Sequence, residues 1–138
     1  MAIITEDYCS FEVAKLLKEK GFDGDTSSCY ILEDGTHHIM NDKVVQSEYY
    51  ESQDSNEHGH LIQAPTHQMA MKWLREVHNL FIEPYAVKNY SKKKLEYTYS
   101  IQDLDFQGSD DGIECCKNWD TLEQACEIAI KYCLEKLI

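Results

Sequence analysis

The chain has 138 residues, 43% of them hydrophobic and 11% aromatic, a composition that suits one globular domain with a core of its own. Lys and Arg number 13 against 25 Asp and Glu, a formal net charge of −12 that speaks against a general binder of nucleic acid or anionic membrane. No run of about eighteen apolar residues exists to cross a bilayer. The opening Met1–Asp7 lacks the basic and apolar segments of a secretory signal, so the expected location is the cytoplasm.

The first helix is predicted from Ser10 to Lys20. Val13, Leu16 and Leu17 lie on one side, Glu12, Lys15, Lys18 and Glu19 on the other, and Gly21 supplies the stop. Cys29–Leu32 and Thr36–Met40 read as strands around Glu33, Asp34 and Gly35, whose Asp-Gly pair is a strong hairpin signal. Val44 to Tyr50 reads as a strand, Ser52 to His60 as a polar loop, and Leu61–Ala64 as a short strand. A second helix follows Pro65, with Thr66 as N-cap and Met69, Ala70, Trp73, Leu74 and Val77 as its apolar stripe.

Two strands come next, Phe81 to Val87 and Leu95 to Asp103, joined through Asn89–Lys93. The later one alternates: Leu95, Tyr97, Tyr99 and Ile101 share one face, Glu96, Thr98, Ser100 and Gln102 the other. Core packing is the expected use of the first face. Gln107–Gly112 reads as a loop and Ile113–Cys116 as a short strand. The third helix is expected to be capped by Asp120, with Glu123 completing a box. Its stripe is Leu122, Ala125, Cys126, Ala129, Ile130, Cys133 and Leu137, with Glu127 and Lys131 as an outer pair. The order implies an α+β single domain, roughly α-β-β-(β)-α-β-β-α, with three helices packed on a mainly antiparallel sheet. Lys15–Glu19 and Lys72–Glu76 share a pattern, each ahead of strands, a hint of a repeated α-β-β unit.

Motifs that carry chemistry are few. The six cysteines, Cys9, Cys29, Cys115, Cys116, Cys126 and Cys133, include no C-x-x-C, and a cytosolic setting predicts reduced thiols. Cys126 and Cys133 sit on an apolar stripe and read as core. The adjacent Cys115 and Cys116 are expected to point one inward and one outward. His37, His38, His58 and His60, with Cys115 and Cys116, are candidate metal ligands, but they form no complete set, and no metal or cofactor is assigned. Glu12–Leu17 has the look of the first helix of a helix-turn-helix, yet the acidic, strand-rich stretch after Gly21 lacks the second helix. Nucleophile-elbow, zinc-protease, phosphate-loop and dinucleotide motifs are missing, and no catalytic residue is picked out. Asp103, Asp105, Asp110, Asp111 and Glu114 fail the calcium-loop spacing and read as a solvated acidic turn. Tyr85, Tyr90, Tyr97 and Tyr99 near Lys88 and Lys92–Lys94 have the aromatic-plus-basic mix of a single-strand binder, with core packing as the competing use of Tyr97 and Tyr99.

Ser10–Phe22, Ala64–Thr66 with Met69–Val77, and Glu123–Leu134 together resemble a family of small uncharacterised proteins of gut anaerobic bacteria and their phages and mobile elements. The likeness covers the helices and leaves 41–60 and 105–118 outside. The family has no assigned activity, so it implies no site residues. What it implies is an accessory, prophage-linked cytoplasmic protein.

The charge is also divided. Residues 1–60 carry 4 basic and 13 acidic side chains (−9), 61–100 carry 6 and 3 (+3), and 101–138 carry 3 and 9 (−6). The reading favoured by this pattern is a non-enzymatic interaction module whose partner is another protein. The alternatives are an acidic nucleic-acid mimic that occupies a DNA-binding protein, and a small metal-dependent enzyme using the His and Cys residues. A basic section between two acidic ones weakens the mimic.

Overall fold

Ser10 starts the first helix by accepting a hydrogen bond from the Val13 amide at 3.2 Å, and α1 runs Phe11–Glu19. It ends in a Schellman turn. Gly21, at φ 93, occupies the left-handed position, its amide donating to Lys18 O at 3.1 Å and that of Phe22 to Leu17 O at 2.9 Å. Phe22 and Leu17 are both buried, the apolar contact that accompanies this motif.

The computed structural model describes residues 6–33, 36–40, 61–105 and 112–138. The expected Val44–Tyr50 strand, the Ser52–His60 loop, the Asp34-Gly35 turn and most of the Gln107–Gly112 loop lie outside the described residues. Backbone contacts divide the chain into two compact units, Met1–Ala70 and Met71–Ile138.

In the first unit β1 (Cys29–Glu33) pairs antiparallel with β2 (Thr36–Met40), Glu33 facing Thr36 across the expected hairpin. The other edge of β1 pairs with β3 (Leu61–Gln63), giving the order β2-β1-β3. α1 contacts β3, and Val13, Ala14, Leu17, Phe22, Cys29 and Ile62 are buried. Cys9 N donates to Pro65 O and His67 N to Asp7 O, both at 2.9 Å, which ties the segment before α1 to the segment after β3.

The helix α2 (His67–His78) contains the boundary between the units. Thr66 Oγ1 accepts from the Met69 amide at 3.2 Å, the expected cap. Ala70, Trp73 and Leu74 are buried as their spacing predicts, while Val77 is exposed. Asn79, at φ 56, takes the left-handed position that closes α2 and turns the chain into β4.

The second unit is a long hairpin with a helix. β4 (Leu80–Asn89) pairs with β5 (Lys94–Asp103), and β5 pairs in turn with β6 (Ile113–Glu114), in the order β4-β5-β6. The α+β class and antiparallel pairing are as expected, with the described strands shared between two three-stranded sheets. Those sheets do not continue the repeat hinted at by the helices. The first strand is central in one and the second strand in the other.

α3 (Leu122–Tyr132) contacts β4 and β5, and passes into a π turn at Cys133–Leu137. Ala125, Cys126, Ala129, Ile130, Cys133 and Leu134 are buried, as are Leu80, Ile82, Tyr99 and Ile101 of the hairpin. Leu122, expected on the stripe, is exposed. The cap lies one residue later than expected. Thr121 Oγ1 accepts from Gln124 N at 3.1 Å while Gln124 Oε1 accepts from Thr121 N at 3.2 Å, and Asp120 instead bonds Lys94.

Strand β5 departs from simple alternation. Glu96, Thr98 and Ser100 are buried along with Tyr99 and Ile101, whereas Leu95 is exposed. Glu96 and Thr98 tolerate burial because partners reach them: Asn89 Nδ2 donates to Glu96 Oε1 at 2.8 Å, and Thr98 Oγ1 donates to Lys117 O at 2.8 Å.

Removing the reciprocal cap tests the helix start. Thr121→Ala is expected to lower unfolding stability by about 1 kcal/mol in urea denaturation, and Thr121→Ser to retain most of it. Equal losses for both would place the cap elsewhere.

Candidate functional site

Register identifies the irregular place in the second sheet. β6 pairs with β5 at Ile101↔Ile113 and Ser100↔Glu114, and pairing resumes at an isolated bridge, Tyr97↔Trp119. Between them Thr98 and Tyr99 face the four residues Cys115–Asn118. This is a bulge, a feature that re-aims side chains and concentrates near functional surfaces. Cys115 and Cys116 both sit on it.

Cys115 is half-buried and Cys116 exposed, close to the expected division. Cys115 Sγ accepts from the Lys117 amide at 3.4 Å, and Cys115 N donates to Tyr99 O at 3.2 Å. The Tyr99 ring stacks on Trp119 with centroids 5.7 Å apart and planes 19° apart. Burial, and then the neighbouring Cys115, holds the Tyr99 hydroxyl well above the usual phenol range. Burial also pushes the Cys133 thiol up to about 12. Both groups therefore stay protonated near neutral pH, which suits packing and not nucleophilic or base chemistry.

The most organised polar group is a carboxylate that sequence reading placed on an outward face. Glu96 is only 7% exposed. Asn89 Nδ2 donates to Glu96 Oε1 at 2.8 Å and Asn118 Nδ2 to Oε2 at 3.0 Å, with Lys92 Nζ 3.7 Å from Oε1. Asn89 belongs to β4, Glu96 to β5, and Asn118 to the bulge, so one side chain links three adjacent backbone segments on one sheet face. Asn89 Oδ1 also accepts from Lys92 N at 3.1 Å, closing the turn in which Lys93 takes a positive φ of 53. Beside this, Lys94 Nζ bonds Asp120 Oδ1 at 2.6 Å. The Asn89 and Asn118 amides hold the Glu96 carboxyl below the usual carboxylate range; burial opposes them, and Lys92 and Lys94 add smaller lowering effects. Asn89 and Asn118 gave no signal in the sequence, because asparagines far apart along the chain look like any turn residues.

This clamp fixes the end of the hairpin, and that end is exposed. Tyr90 is 83% exposed, Leu95 49% and Tyr85 37%. Of the four lysines between Lys88 and Leu95, Lys92 is paired with Glu96 and Lys94 with Asp120. Lys88 and Lys93 have no ionic partner among the described residues. Tyr85 and Tyr90 are thus separated from Tyr99, which is core; Tyr97 is half-buried.

Of the candidate metal ligands, only Cys115 and Cys116 have side chains among the described residues. His37 and His38 lie on β2 opposite Leu32 and Ile31, with side chains outside the described set, and His58 and His60 lie outside the described residues altogether. Among the described residues, Cys115 and Cys116 are joined by no third His, Cys, Asp or Glu at ligating distance. The first unit brings Cys9 and His67 together, both buried, with ligand atoms within 4.8 Å, a pairing too distant in sequence to be read from spacing. Cys9 Sγ there donates to Thr66 O at 3.9 Å. In the acidic turn Asp103 Oδ1 accepts from Asp105 N at 2.9 Å, a local turn contact, while Asp110 and Asp111 lie outside the described residues.

The clamp has a pH signature. Because the folded Glu96 value is depressed, its stabilisation is present at neutral pH and is lost as pH falls from the ordinary value of 4.5 through the lower folded one. Glu96→Gln is expected to lower stability at neutral pH and to flatten the acid limb of stability against pH, measured by urea denaturation at several pH values. Parallel acid limbs for both proteins would contradict the clamp.

No family model, curated protein or solved structure matches the chain.

Proposed function

We propose that the chain is a non-enzymatic protein-interaction module whose contact element is the turn end of the β4–β5 hairpin. The observation that carries this reading is the exposure of Tyr90, with Leu95 and Tyr85 nearby, on a turn held by the Glu96 clamp. Exposed aromatic side chains on an ordered support supply contact area at low entropic cost, and tyrosine is enriched among residues that dominate binding energy. The resemblance to small uncharacterised proteins of gut anaerobes and their phages, a family with no assigned activity, fits an accessory, mobile-element-linked cytoplasmic protein. Against the mimic of nucleic acid stands the local charge: Lys88–Leu95 holds four lysines and no acid.

The test is affinity capture from a gut anaerobic host with tagged wild type and with a Tyr90→Ser/Leu95→Ser double variant. Exposed substitutions of this kind change stability by about 0.5 kcal/mol or less each, so folding is preserved. A discrete partner is expected with wild type and at least a tenfold reduced yield with the variant. Equal capture by both, or no partner at low or high salt, would contradict the reading.

A further inference from the structure

We infer that the outer edge of β4 from Tyr85 to Asn89 is a docking edge for an extended, acidic segment of a partner protein, which adds to the sheet as a further strand. The inference rests on the interaction-module reading and names the partner's chemistry. β4 is the outermost strand of its sheet, and among the described residues no strand pairs with its free side. Such an edge presents unpaired amides and carbonyls, and proteins usually blunt it with proline, charge or short length. Here Pro84 interrupts the edge at mid-strand and Glu83 precedes it, but the five residues beyond carry neither proline nor glycine, and their one charge is Lys88.

The two faces of that stretch set the occupant's pattern. Ala86 and Lys88 lie on one face opposite Tyr97 and Leu95, and Tyr85 and Val87 on the other opposite Thr98 and Glu96. A strand added alongside would place alternate side chains next to Lys88, whose ammonium has no ionic partner among the described residues, with Lys93 also uncommitted at the turn. The remaining side chains would lie beside Tyr85 and Val87, the first exposed and the second half-buried. The fitting strand therefore alternates acidic and apolar residues, about 17 Å long for five residues at ~3.4 Å each. A single nucleic-acid strand is the less favoured occupant. Of the four lysines at this edge and turn, two are already paired among the described residues, and the chain has a net charge of −12.

The test uses the full chain, fluorescence anisotropy and three labelled probes: an alternating Glu-Val octapeptide, its Lys-Val counterpart, and an oligothymidylate of similar length. The Glu-Val peptide is expected to bind and to perturb the Tyr85–Asn89 amides in heteronuclear spectra. Lys88→Glu combined with Lys93→Glu is expected to weaken it about tenfold or more, as is a rise to about 0.5 M salt. Circular dichroism of the double variant confirms that it folds. Binding of the Lys-Val peptide or oligothymidylate in preference, retention of Glu-Val binding by the double variant, or no binding by any probe would overturn the inference. These outcomes are separable from failure of the module reading, since partner loss with Tyr90→Ser/Leu95→Ser does not depend on the partner being acidic or extended.

Discussion

Glu96 carries a charge into a position where water barely reaches, and that placement is tolerated only because each carboxylate oxygen has its own amide donor. Desolvating a carboxylate is costly unless it is hydrogen-bonded and paired. Asn89 and Asn118 meet that demand from opposite neighbours of β5, and Lys92 adds a cation from the turn. The consequence is architectural. The bulge needs something other than regular pairing to hold it against β5, and the Asn118 contact, with Thr98 on Lys117 O and the Tyr97–Trp119 bridge, supplies it. The turn needs something to fix its irregular backbone, and Asn89 does this from the same group. An exposed aromatic tip that would otherwise fray thus sits on a fixed base.

The thiols divide along the same lines. Cys126 and Cys133 are buried on α3 and its π turn, and Cys133 is protonated under the pressure of burial. Cys115 and Cys116 owe their position to the bulge, where two β5 residues face four. All six cysteines are among the described residues and none forms a disulfide there. Cys9, Cys29, Cys126 and Cys133 are all buried.

Local signals in the sequence were readable where the physics was local. Ser10, Gly21 and Thr66 act within four residues of themselves, and the Asp34-Gly35 pair lies between strands that do pair across it. The last helix shows the limit. Asp120 and Thr121 are both good caps, and the choice between them was settled by Lys94, 26 residues earlier in the chain. The alternation of β5 misled for a similar reason. Glu96 and Thr98 look solvent-facing until partners from other segments satisfy them. Strand order was equally non-local, and it separates the two sheets that the matching helix strings had suggested were repeats. The docking edge was half legible: the aromatic-plus-lysine mix showed in composition, but which lysines were already paired did not.

One carboxylate fixes the hairpin end and the bulge together. Amide hydrogen exchange of wild type and Glu96→Gln, resolved by residue, tests it most directly. Exchange in the variant is expected to be faster across both Tyr85–Thr98 and Cys115–Trp119, with the amides of α3 little changed. Unchanged protection in those two segments, or a uniform loss over the whole second unit, would contradict it.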